Sequence, residues 1–120
     1  MTQFKYTSWG RTRGPKNING PTQTPVALTP CANLAAAGNG TGVCLTENQR
    51  FLHITTSDAP AALSNIWVYM HASGVWSELK TLAGASYTMA ANEHEIIEID
   101  GIDKVAFNIA GTVHAAASTF

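Results

Sequence analysis

The sequence is poor in charge. Asp, Glu, Lys and Arg make up 12% of its 120 residues, against about 25% in an ordinary soluble domain. A sparsely charged surface rich in Thr, Ser, Asn and Ala suits a protein that packs against neighbours. Acid is missing altogether from residues 1–46, which hold Lys5, Arg11, Arg13 and Lys16 for a balance of +4. Residues 47–120 hold three basic and eight acidic side chains, a balance of −5. A basic leading segment therefore precedes an acidic remainder. Four cations spread over twelve residues are too few for a nucleic-acid arm, and no direct nucleic-acid contact is expected.

No run reaches the roughly 18 apolar residues of a membrane helix, so no membrane partner is expected. MTQFKYTSWGRTRGP has no apolar stretch after its first charge. It does not read as a secretory leader, and a protein made and kept in a cytoplasm, or released from one by lysis, is the expectation. Cysteine is scarce. Cys31 and Cys44 are separated by twelve residues, with only His53 nearby, whereas a structural zinc site takes four ligands in closer pairs. Two separate buried thiols are the simplest reading. A disulfide formed outside a cell would close a loop worth about 3 kcal/mol. No G-x-S-x-G, P-loop or dinucleotide fingerprint occurs.

What is present falls into two parts within a length that fits one domain. Residues 1–30 hold Pro15, Pro21, Pro25 and Pro30 with Gly10, Gly14 and Gly20. Proline fixes φ and biases the preceding residue away from helix, so PTQTPVALTP should be extended. Phe4, Tyr6 and Trp9 lie at nearly alternate positions, a pattern able to add a strand to a partner surface or a sister subunit. We read 1–30 as an extended anchoring arm and 31–120 as the body. CANLAAAGNGTGVC, residues 31–44, reads as a loop, since GNGTG ends the one helical turn that NLAAA offers. Asn39-Gly40-Thr41 matches a glycosylation acceptor, which means little without a secretion signal.

From residue 49 the pattern is β. QRFLHITTS reads as a strand, and SNIWVYMHASGVWSELK as a hairpin turning at Ala72-Ser73-Gly74. ASYTMAA, 94–100, 103–110 and TVHAAASTF supply further short strands. Seven or eight short strands without a long amphipathic helix make an antiparallel β-sandwich, jelly-roll or immunoglobulin-like. Both faces of the strand around Trp67 and Tyr69 are bulky, so it is buried on both sides or meets another subunit. Trp67 and Trp76 nearly face each other across the hairpin. They serve core or interface packing, or else a sugar-stacking platform.

HEIIEIDGIDKVAFNI, residues 94–109, concentrates Glu95, Glu98, Asp100 and Asp103 beside His94. With alternate residues sharing a face, the apolar set forms the core side and the acids a solvated face. Asp100-Gly101 supplies a turn, and Lys104 pairs with Glu98 or Asp100 across the resulting hairpin. The stretch lacks the regular Asp/Asn spacing of a calcium loop. Nothing marks a facing carboxylate pair of the glycosidase kind. HEIIE offers one His and one Glu, short of a cupin-like metal set. His53, His71, His94 and His114 are scattered in sequence, and HIT at 53–55 lacks the recurring histidines of a nucleotide hydrolase. Cys44 beside glycine-rich residues reads as a structural thiol rather than a nucleophile. No catalytic residue, metal or cofactor is expected.

The segment from Arg50 to Thr112 resembles the small β-sandwich head decoration (cement) and accessory virion proteins of tailed bacteriophages. The carrying residues are RFLHITTS, the Trp-containing hairpin SNIWVYMHASGVWSELK, and YTMAANEHEIIEIDGIDKVAFNIAG. The resemblance implies a homo-oligomer, dimer or trimer, on the capsid surface. It would bind the major capsid protein and bridge shell subunits through many equivalent contacts. Phe4, Lys5, Tyr6, Trp9, Arg11, Arg13 and Lys16 are then the expected capsid-binding residues, with Trp67, Tyr69 and Trp76 as interface aromatics. The alternative is a carbohydrate- or receptor-binding module of a phage fibre or tail.

Overall fold

The computed structural model describes residues 23–119. Eight strands and one short helix follow in chain order. They are β1 (Val26–Ala27), α1 (Leu34–Gly38), β2 (Cys44–Leu45), β3 (Phe51–Thr56), β4 (Ala62–Met70), β5 (Val75–Glu78), β6 (His94–Glu98), β7 (Ile102–Ala110) and β8 (Val113–Ser118). One four-stranded sheet has the order β1-β8-β3-β6 and the other β2-β7-β4-β5. Every strand pair is antiparallel. β1 pairs with β8, β2 with β7, β3 with β6 and β4 with β5, as in one long hairpin rolled into two layers. This is the eight-stranded jelly-roll order. The β-sandwich expected from the sequence is therefore the fold.

The two layers close on alternate residues. Leu52 and Ile54 of β3, Ile97 of β6 and Ala115 and Ala117 of β8 face Ile66 and Val68 of β4 and Val105, Phe107 and Ile109 of β7. Phe107 and Ile54 are fully buried. The corner between β7 and β8 turns on Gly111 at φ +68°, where an added Cβ would stand 2.7 Å from the Ala61 Cα. Only glycine fits that approach.

Several local expectations are corrected. The stretches 94–100 and 103–110 do not form a hairpin. β6 lies beside β3, β7 lies beside β4 and β2, and Asp100-Gly101 carries the chain from one layer to the other. Alternation predicts faces but not partners, and both strands had usable faces. ASYTMAA is not a strand. It makes the isolated bridges Lys80↔Ser86 and Leu63↔Met89, of which the second reaches β4. The 31–44 stretch contains a helix rather than only loop. Asn33 caps it by accepting the Ala36 N–H at 2.8 Å. α1 lies over the outer face of the β2-β7-β4-β5 sheet, where Cys31, Ala37, Trp67 and Ala106 form a second small core.

Residues 23–30, the end of the expected arm, run along the body. Gln23 N–H donates to Ala117 O at 2.8 Å, Val26 pairs with Ala115, Leu28 N–H donates to Val113 O, and Pro30 bridges Phe107. Phe4, Lys5, Tyr6, Trp9, Arg11, Arg13 and Lys16 lie outside the described residues.

Candidate functional site

The two ends of the rolled hairpin, β1 and β2, are edge strands of opposite layers and are two residues long each. Between them the sandwich opens into a cleft of about 320 Å³, within the size range of small-ligand sites. Its floor is core: Leu28, Leu52, Val105, Phe107, Ala115 and Ala117. Its rim is Gln23, Thr24, Val26, Cys44, Leu45, Thr46 and Glu47. Val26 and Leu45 are 50% and 60% exposed.

The rim is held by local hydrogen bonds. The Gln23 amide donates to Leu45 O at 2.9 Å and to the Glu47 carboxylate at 2.8 Å. Thr46, buried, donates its hydroxyl to Ile102 O. Gly42, at φ +65°, passes so close to residue 29 that a Cβ would stand 2.5 Å from Thr29 O. Glu47 and Asn48 adopt positive φ to turn the chain from β2 towards β3. Sequence reading missed this cleft because it comes from layer separation, which no local pattern records. PTQTPVALTP next to GTGVCLT was the only trace.

The acidic stretch divides. Arg50, just before β3, lies 3.5 Å from Glu98 and 3.4 Å from Asp100, all three more than half exposed. Asp103 meets His71 at 3.2 Å. Lys104 pairs with neither Glu98 nor Asp100 and sits 4.8 Å above the Tyr69 ring. Such exposed pairs contribute under about 1 kcal/mol, and they trim the surface. Glu78 of β5 is different. Its carboxylate accepts from Ser86 at 2.5 Å and Asn65 at 2.7 Å. These hydrogen bonds hold its carboxyl below the usual range, Ser86 first, then Asn65, against the opposing effect of burial.

Three of the four scattered histidines come together on the outer face of the β1-β8-β3-β6 sheet. His114 and His94 flank Thr55 across adjacent strands. His53 stacks on His94 at 6.4 Å and hydrogen-bonds the Ser118 hydroxyl at 2.8 Å. Among the described residues no group of three or more His, Cys, Asp or Glu is arranged to hold a metal ion. Both cysteines are free thiols, and burial raises both pKa values. Cys31 lies under α1 and Cys44 on the cleft rim.

The expected interface aromatics separate. Trp67 is buried against the chain's own α1 region and donates its indole N–H to Cys31 O at 2.8 Å. It stands opposite Glu78, while Trp76 stands opposite Tyr69. The Tyr69 and Trp76 rings meet at 5.7 Å, both half-buried. No helix among the described residues is long and apolar enough to cross a membrane.

No family model matches the chain, and neither the curated proteins nor the solved structures contain a match to it.

Proposed function

We propose that this chain is a virion structural protein: a head decoration protein that binds the shell of a tailed bacteriophage and bridges neighbouring major capsid subunits. It acts by binding, without turnover or cofactor, as a homo-oligomer on the capsid surface. The observation that carries this reading is a jelly-roll body whose core surfaces at an apolar open edge, where the basic, aromatic-bearing segment joins it. Viral capsid domains share this strand order with lectins and cupins. The sparse charge of the whole chain also suits repeated contacts between like subunits. The binding residues proposed for the arm are Phe4, Lys5, Tyr6, Trp9, Arg11, Arg13 and Lys16.

Quantitative mass spectrometry of purified particles, against the major shell protein, tests this reading. A simple ratio to the shell subunit, at dozens of copies or more, is expected. Absence from particles overturns it. A few copies per particle would favour the second reading, a carbohydrate- or receptor-binding module of a fibre or tail. That reading draws on the half-buried Tyr69–Trp76 pair beside Lys104. A glycan array would register it.

A further inference from the structure

We infer that the cleft between β1 and β2 is the docking site for residues 4–9 of a second copy of this chain, so that copies are joined by their leading segments. The proposal deepens the bridging reading but needs only that two copies meet.

Four observations converge on that occupant. First, the cleft floor is hydrophobic core and its mouth is flanked by exposed Val26 and Leu45. A concave, largely apolar opening with a few polar groups at its rim is the usual form of a binding site. Second, β1 is an edge strand with an outer side that no described strand pairs. Its Val26 lies in register with Ala115, whose side chain joins the core. A strand laid against β1 would extend the sheet and direct alternate side chains over the cleft. Phe4 and Tyr6 have that spacing, whereas Lys5 and Trp9 fall on the opposite face of such a strand.

Third, the charges are complementary. Glu47, exposed on the rim, is held in place by Gln23. The segment 1–22 carries four cations and no acid, against a balance of −5 in residues 47–120. Fourth, the leading segment is long enough to reach another copy. Fifteen residues separate Ser8 from Gln23 on the cleft rim, and a chain of that length can span up to roughly 50 Å, against 47 Å for the longest dimension of the structure.

Cys44, on the rim, supplies a reporter. Two full-length chains are mixed under mild oxidation: one carrying Ser8→Cys with Cys44→Ala, the other with its native Cys44. A disulfide-linked pair of the two chains is expected on non-reducing gels, absent when the native chain also carries Cys44→Ala. Adding Phe4→Ala, Tyr6→Ala and Trp9→Ala to the first chain should lower the yield at least tenfold. A second measurement uses the single variant Ser8→Cys with Cys44 retained. Linked oligomers are expected. A monomer closed on itself would show that the segment fills its own cleft and overturn the proposal. Failure to link in both experiments, or linkage unaffected by removing the three rings, would overturn it too. None of these results depends on particle copy number, so the inference and the virion reading fail separately.

Discussion

The sandwich has two open sides, and they are finished differently. On the β5/β6 side, the crossing from residue 79 to 93 folds over the gap. Leu63 and Met89 exchange both backbone hydrogen bonds at 3.0 Å, and Thr56 donates its hydroxyl to Ala90 O. Leu79 and Tyr87 pack on the core, and the Glu78–Ser86–Asn65 cluster ties the crossing to the sheet. On the β1/β2 side, two-residue strands leave a cleft over core residues and two exposed aliphatic side chains. The described residues cover the core on the β5/β6 side with a whole crossing, whereas on the β1/β2 side only the Gln23 side chain bridges to Leu45 and Glu47 over the cleft. Exposed aliphatic side chains occur on both sides, with Val75, Leu82 and Ile96 on the first. Edges of sheets are templates for pairing with another chain, and the proposed docking of a second copy is placed at the open β1/β2 side.

The contrast has measurable consequences. Met89→Ala, at a buried position of the closed side, should cost about 2–5 kcal/mol in urea unfolding. A loss no greater than that of Leu45→Ala would dissolve the distinction between the sides. Next in size is Gly42→Ala, which places a Cβ 2.5 Å from Thr29 O at positive φ. It should lose more than about 1 kcal/mol, with hydrogen exchange quickening at residues 26–30 before the β5/β6 side is affected. Near-normal stability there would show that the cleft rim is slack.

Acid should loosen the closed side. The folded Glu78 carboxyl is held below its ordinary value, which lies near about 4.3. A depressed carboxyl gives stability that is complete above the ordinary value and is lost as pH falls through the folded one. Glu78→Gln should therefore flatten the acid limb of the stability profile, measured by thermal melts from neutral pH downward. An unchanged limb would place the acid sensitivity elsewhere. The smallest stability effects belong to the exposed side chains of the open side. Val26→Thr and Leu45→Ala, both exposed, should stay within about 0.5 kcal/mol of the parent while weakening self-association in sedimentation runs. Cys44 on the rim should react with a thiol reagent ahead of buried Cys31, and the reverse order would mean that the cleft is closed.

The layers were legible in the sequence because burial on one side imposes alternation. Leu52 and Ile54, Ile66 and Val68, and Val105, Phe107 and Ile109 all stand inward as the period of two requires. Pairing was not legible at 94–110, because β6 and β7 have inward faces that serve two sheets as readily as one hairpin. The helix at 34–38 was hidden by its length; the cap hydrogen bonds of Asn33 and Asn39 and its packing in the small core with Trp67 sustain it. The histidine group on the outer sheet face arises from register between strands up to 61 residues apart, His53 to His114. The cleft was the least legible feature, since it is bounded by where two short strands stop. What the sequence did mark was the leading segment itself, by its rings, its charge and its prolines.

Hydrogen exchange of the intact chain as a function of concentration tests the central claim most directly. Protection at residues 23–28 and 44–46 should rise as copies associate, while protection on the β5/β6 side, at Leu63 and Met89, stays constant. Protection independent of concentration at both edges, or a rise confined to the β5/β6 side, would contradict the account.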